Sequence, residues 1–267
     1  MRLDEINDDH LHMALESLTG QAARYYAGKD ADGKSIHKAK RKPIAPATLN
    51  RYAASISAVF TWAICRRVAP KGWDHPGRRI ERLPENNEKT RFLSDDERDR
   101  LLAACKASSW PRLYMLVLLA LTTGARKGEL LGLTWPDVDL VQRLAHVGRT
   151  KNRDPRALPL VPTVLEELQR FKPESGTGLV FLSARNPGQA YSFESLFHEA
   201  MRATKIRGVT FHTMRHSCAS ILAQSGATLL EIADVLGHRQ LQMTKRYSHL
   251  TTTHKSAMVN RLLGDVK

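Results

Sequence analysis

Cysteine is scarce in this chain of 267 residues: Cys65, Cys105 and Cys218 are the whole set, and no two form a C-x-x-C pair. That spacing argues against a zinc ribbon and against a disulfide framework, and leaves three inert thiols. Long apolar runs are lacking too. The strongest, residues 113–121, is too short to span a bilayer, and the acidic, polar residues 1–9 do not read as a secretory signal. The expectation is a cytoplasmic protein with no membrane partner. No internal repeat or low-complexity tract is present. The most informative shortage is of acid: 27 Asp and Glu stand against 41 Lys and Arg, a net charge of +14 with a pI near 10.0. Such a field favours a polyanion, and nucleic acid is the commonest one. The excess is spread along the chain, so both halves could touch one nucleic-acid backbone.

With 42% hydrophobic and 25% charged residues the composition is that of a globular protein, long enough for one large domain or two modest ones. Leu49, Tyr52, Ile56, Val59, Phe60 and Ala63 recur at helical spacing and predict an amphipathic helix over residues 47–67. The basic stretch before it, with Lys34, Lys38, Lys40, Arg41 and Lys42, reads as a solvated loop and a candidate phosphate contact. Residues 70–87, rich in Pro, Gly and charge, read as an interdomain linker. The division expected is 1–85 and 86–267. In the second part Ser94 and Glu97 form a capping box, residues 113–121 a buried helix closed near Gly124, and residues 144–147 and 157–161 two strands flanking the turn 151–154. Pro162 opens another helix, residues 180–181 form a short strand, and the helical remainder has stops at Gly226 and Gly237 and a capping box at Thr228 and Glu231. The fold class is mainly α with a small β-sheet (α+β).

Four places in the second part concentrate cationic, imidazole and phenolic side chains. They are Thr123-Gly124-Ala125-Arg126-Lys127-Gly128-Glu129-Leu130, Lys151 in the hairpin turn, His212-Thr213-Met214-Arg215-His216-Ser217, and Leu236-Gly237-His238 followed by Tyr247. Each has an ordinary reading. Arg126 could sit in a surface ion pair, Lys127 could face solvent, and Glu129 could be a buried partner that orients an arginine or histidine. His212 and His216, at i and i+4, could hold a metal, but Thr213 stands where a zinc protease helix has Glu. Tyr247 could be a half-buried tyrosine with its hydroxyl at the surface.

Together the boxes are similar to those of the tyrosine recombinase family, which includes the phage integrases. Arg126, Glu129, Leu133 and Trp135 fit its first arginine box. His212 to Ser217 fit its H-x-L-R-H-[ST] box, with Met214 in place of Leu. Leu236, Gly237 and His238 fit its L-G-H box, with the tyrosine nine residues after the histidine. The likeness covers residues 90–267 well and 1–85 loosely, as a helical core-binding domain ahead of a catalytic one. Chemistry agrees with it. Attack on a phosphodiester adds charge to the equatorial oxygens, which Arg126 and Arg215 could take up with fixed forks. Tyr247, with a reference pKa near 10, needs a base or cationic surroundings to attack at neutral pH. His212 suits the base role, His238 can donate to a non-bridging oxygen, and Lys151 could protonate the departing 5′-oxygen. Lys127, Arg149 and Arg153 compete with Lys151, whose placement rests on the family's habit of putting a lysine in such a hairpin. In the family pattern His216 supports the fold.

The resemblance implies a site-specific recombinase that cleaves and rejoins duplex DNA through a 3′-phosphotyrosyl link at Tyr247, for integration, excision or inversion. It implies no cofactor and no ATP, and no acidic metal-binding cluster accompanies the boxes. It further implies a C-shaped clamp on double-stranded DNA, a homo-tetramer on two sites, and room for accessory DNA-bending proteins. Because the chain opens close to the core-binding helices, a full arm-binding domain is not expected. A C-terminal helix carrying Met258, Leu262 and Leu263 would dock on a neighbouring subunit. Two other classes fit less of the pattern: a type IB topoisomerase that relaxes DNA without pairing sites, and a non-catalytic DNA-binding accessory factor.

Overall fold

The computed structural model describes residues 2–85, 91–148, 155–186, 188–251, 259–260 and 263. They fall in two compact units, Met1–Asn87 and Glu88–Lys267, each with its own core. The fold is mainly α with two small antiparallel sheets. No helix among the described residues is long and apolar enough to cross a membrane.

The first unit runs α1 (Asp8–Leu18), β1 (Ala22–Lys29), β2 (Ser35–Pro43) and α2 (Pro46–Cys65). Asn7 caps α1 by accepting from the His10 N–H at 3.0 Å, and Asp8 and Asp9 face the positive end of the helix dipole. Pro46 occupies the first turn of α2, where its missing N–H costs nothing. The face that α2 buries is Leu49, Ala53, Phe60 and Ala63. Tyr52 and Val59, expected on that face, lie to one side of it and are 44% and 60% exposed.

Two expectations are corrected here. Residues 34–42 are not a loop: residues 35–42 lie in β2, paired with β1 in the register Arg24↔Ala39, Tyr25↔Lys38 and Tyr26↔His37. Both faces of this ribbon are exposed, so its sequence lacks the polar–apolar alternation by which strands are recognised. Residues 70–85 are not a free linker either. Trp73 and His75 pack edge-on against Phe60, with centroids at 5.4 and 5.8 Å. His75 Nε2 lies 3.0 Å from the Ser57 carbonyl, and the Asn50 side chain accepts from the Leu83 N–H at 2.9 Å. Scattered single contacts of this kind leave no periodic trace.

The second unit contains α3 (Asp95–Lys106), α4 (Arg112–Thr123), α5 (Lys127–Leu131), β3 (Val138–Asp139), β4 (Leu144–Val147), β5 (Arg156–Pro159), α6 (Pro162–Phe171), α7 (Glu194–Ala203), α8 (Thr213–Gln224) and α9 (Leu229–Leu236). Helix α4 is apolar almost all round, with Leu113, Leu116, Val117 and Leu119 fully buried, and it packs against α3, α6 and α8. Truncating any one of these leucines to Ala would cost about 2–5 kcal/mol. The capping boxes at Ser94/Glu97 and Thr228/Glu231 both form. The sheet is ordered β3-β4-β5, with Leu144 opposite Pro159 and Val147 opposite Arg156. Val180 and Phe181 are buried but lie between two isolated bridges, Thr134↔Leu179 and Leu182↔Ala190, instead of forming the expected strand. A smaller cluster of Cys218, Ala219, Ala223, Ile232 and Leu236 joins α8 to α9, and Tyr247 completes it.

Candidate active site

Helix α4 ends at Gly124, whose φ of +60° is the left-handed conformation that glycine adopts without strain. A Cβ there would also run into Leu236 Cδ2, so the turn allows no larger residue. This rigid stop presents two arginines. Arg126 caps α5: its backbone N–H donates to Glu129 Oε2 at 2.8 Å, and its Nη1 donates to Glu129 Oε1 at 2.9 Å. Its Nη2 reaches the Gly237 carbonyl at 3.3 Å, tying the first box to the last. Arg215, on α8, donates from Nη1 to the Gly124 carbonyl at 2.7 Å.

Arg215 is 4% exposed, and its Nη2 is buried with no hydrogen-bond partner among the described residues. Burial, with Arg126 and Arg156 adding like charge, pulls its pKa down to about 10. A buried guanidinium donor left unsatisfied costs about 1–3 kcal/mol, and that penalty is relieved when an anion arrives.

Glu129 balances this charge. Burial pushes its carboxyl up, but hydrogen bonds from Arg126 and Arg156 outweigh that and hold it below the usual carboxylate range. Arg156 donates from Nη2 to Glu129 Oε2 at 2.7 Å and from Nη1 to the Val235 carbonyl. Its side chain covers Gly237, where φ is +63° and an added Cβ would stand 2.9 Å from Arg156 Cδ. One carboxylate thus fixes two arginines and, through Arg156, the end of α9.

The three histidines and Tyr247 complete the cluster. Tyr247 lies in a 3-10 segment, Lys245–Thr251, and is 1% exposed. Its hydroxyl is 2.6 Å from His216 Nδ1. Burial, then the charges of His212, Arg246 and Arg215, lower His216 to about 4, so at neutral pH the imidazole is neutral and shares a hydrogen bond with the hydroxyl. Burial also raises the Tyr247 hydroxyl, against the pull of Arg246 and Arg215. The His212 ring stands perpendicular to His216 with centroids 4.9 Å apart, and burial and the same arginines lower its pKa. His238 Nδ1 is 2.8 Å from Thr244 Oγ1, and burial followed by Arg215 lowers this imidazole to about 4. Lys151 lies outside the described residues, as do Met258 and Leu262 of the expected C-terminal helix.

The model of the phage integrase family matches residues 91–254. The chain belongs to the phage integrase family. This is the tyrosine recombinase family that the four boxes resembled. Among its relatives, the shufflon-specific DNA recombinase of Escherichia coli is 30% identical over 83% of this chain and 56% of its own length. The integrase of Haemophilus phage HP1 is 28% identical over 88% of this chain and 65% of its own length. The chain therefore spans less than two thirds of these relatives. A structure of the Tn1549 transposon integrase in complex with transposon right end DNA superposes over 98% of this chain and 87% of that one, with a TM-score of 0.73. At 20% identity that likeness speaks for the fold alone.

Within this family framework, the structure brings Arg126, His212, Arg215, His238 and Tyr247 into one basin. It adds residues that the sequence reading missed or placed differently. Arg156 went unremarked because nothing marks a strand-start arginine as the partner of a distant buried carboxylate. Thr244 is fully buried and sits three residues before Tyr247, whose N–H donates to the Thr244 carbonyl at 3.0 Å. That i, i+3 spacing of a 3-10 turn is the signal that could have revealed it. His216, expected to support the fold, touches the tyrosine hydroxyl directly. Lys127 is not merely solvent-facing: it pairs with Glu194 at 2.9 Å. Cys65 is exposed, whereas burial pushes the Cys105 and Cys218 thiols up to about 12 and about 11.

Proposed function

We propose that the protein is a site-specific recombinase that cuts and rejoins duplex DNA through a 3′-phosphotyrosyl link at Tyr247. The observation that carries this reading is the buried Nη2 of Arg215 near the tyrosine, a guanidinium donor with no hydrogen-bond partner among the described residues and so suited to an anionic acceptor. In this reading Arg215 and Arg126 grip the scissile phosphate, and the fixed donors gain most when charge builds on its equatorial oxygens. His238, oriented by Thr244, donates to a non-bridging oxygen.

The Tyr247 oxygen attacks phosphorus as the bond to the 5′-oxygen breaks, and the phosphotyrosyl ester conserves the bond for rejoining by an incoming 5′-hydroxyl. The base role was expected of His212. The 2.6 Å contact favours His216 as the first acceptor of the phenolic proton, with His212 next to it at the solvent. Lys151 as the acid for the 5′-oxygen, a tetramer on two DNA sites and accessory bending proteins rest on the family resemblance.

The test is to mix the protein with supercoiled DNA carrying the sequences that flank its own gene, stop with detergent and look for protein-linked DNA. An adduct in the wild type and none in Tyr247→Phe supports the reading. Relaxation of any plasmid irrespective of sequence favours the topoisomerase class. Salt-sensitive binding with no adduct from either protein favours the accessory factor.

A further inference from the structure

Two buried threonines of the second unit turn their hydroxyls back on their own helices. Thr123 donates to the Leu119 carbonyl at 2.6 Å and Thr204 to the Ala200 carbonyl at 3.0 Å, the local way for a buried hydroxyl to find an acceptor. Thr244 does otherwise. It is fully buried, and its Oγ1 has one hydrogen-bond partner among the described residues, His238 Nδ1 at 2.8 Å.

The direction of that bond follows from what each group can do. A hydroxyl has one hydrogen to place, and an interior position with no acceptor carries the full cost of desolvation. The ring nitrogen is the acceptor that the described residues offer. Thr244 therefore donates, Nδ1 accepts, and a neutral His238 carries its proton on Nε2.

Charge is the second observation. Burial comes first, then Arg215 on α8, Arg126 ahead of α5, Arg246 beside Tyr247 and Arg156 on β5, and together they lower His238 to about 4. An imidazolium would hold an N–H on both nitrogens, so its partner at Nδ1 would decide nothing. A neutral ring has a single N–H, and the partner at Nδ1 decides whether Nε2 donates or accepts. Thr244 also shapes the turn that carries the tyrosine. Its N–H donates to the Leu241 carbonyl at 2.9 Å, and its carbonyl accepts from the Tyr247 N–H at 3.0 Å. One buried residue holds His238 by its side chain and Tyr247 by its backbone.

We propose that Thr244 is a positioning residue that locks His238 in the Nε2–H tautomer, so that the ring offers the phosphate a neutral N–H donor. The proposal rests on the reading of the site as a recombinase centre. The tautomer, however, belongs to the protein without DNA, so the two can fail separately.

The full chain, labelled with nitrogen-15 at histidine, is studied by NMR without DNA near neutral pH. The His238 signals are identified by their loss in His238→Asn. The wild type should show an unprotonated Nδ1 and a protonated Nε2. Thr244→Val keeps the shape without the hydroxyl and should show both nitrogens averaged between the two states. Thr244→Ser should restore the wild-type pattern. Rates of covalent adduct formation give the second readout. Thr244→Val should be slower by about 10-fold near neutral pH, as for other partners that orient a working histidine, and Thr244→Ser should stay within about twofold. The Thr244→Val defect should shrink as pH falls, because the imidazolium regains an N–H at Nε2.

A wild type with the proton on Nδ1, or a pattern unchanged in Thr244→Val, overturns the proposal and leaves the recombinase reading standing. A Thr244→Val defect equal at every pH marks a merely structural loss and also overturns it. If Thr244→Val does not fold, the wild-type and Thr244→Ser spectra decide: a proton on Nδ1 in either sinks the idea. The expected tautomer with no adduct from the wild type supports the hold on His238 and removes the recombinase reading.

Discussion

The chain holds positive charge in two ways. In the ribbon β1–β2 the lysines stand in water with no anionic partner among the described residues. In the basin around Tyr247 Arg215 is buried and Arg126 and Arg156 are partly buried, and all three are fixed by hydrogen bonds: Arg215 on the Gly124 carbonyl, Arg126 and Arg156 on Glu129. Water and salt screen the first kind, so it acts by number and suits affinity that falls with ionic strength. The second kind is partly or wholly desolvated and held by hydrogen bonds, so it acts by placement and suits a charge that appears only during reaction.

The comparison breaks most sharply at Tyr247, the proposed nucleophile. Tyr247→Phe should reduce covalent adduct by at least about 10³-fold and leave salt-sensitive DNA binding within about twofold, since the hydroxyl it removes carries no charge. Quantitative adduct gels beside binding titrations check both halves. Next in size is Arg215→Lys, which keeps the charge and removes the fork. Adduct formation should slow by about 10²–10³-fold with the salt slope of binding unchanged; a flattened slope with an unchanged cleavage rate would mean that Arg215 belongs with the screened class.

Glu129→Gln leaves two arginines facing a neutral group. Breaking a buried ion pair from one side should destabilise the second unit by about 3 kcal/mol, read as a fall in the midpoint of urea unfolding.

The smallest effect is on pH dependence. His216 and His238 are held near 4, below the usual value for histidine, so between about 6.5 and 4 the unfolded chain binds protons that the folded one refuses. Their contribution is present above about pH 6.5 and is lost as pH falls towards 4. The melting temperature should therefore decline across that window, and less so in His238→Asn.

How much of this was legible in the sequence follows the same division. The capped helices, the buried α4 and the glycine stops at 124 and 237 have local signatures, and they emerged where expected. The four boxes were legible because spacing along the chain survives folding. The ribbon was not, because a strand exposed on both faces has no alternating pattern. Arg156 and Thr244 were not, because their importance comes from contacts with Glu129 and His238, 27 and 6 residues away. His216 was legible as a residue, but its contact with Tyr247 was not, since only the fold brings its Nδ1 against a hydroxyl 31 residues later.

The central claim is that Tyr247, and no other residue, joins the DNA. The most direct measurement is to trap the adduct with detergent, digest it with nuclease and protease, and locate the nucleotide by mass spectrometry. The account predicts a nucleotide phosphate on the peptide containing Tyr247, linked through the 3′ end of the cut strand. A nucleotide on any other residue, or cleaved DNA with no protein attached, would contradict it.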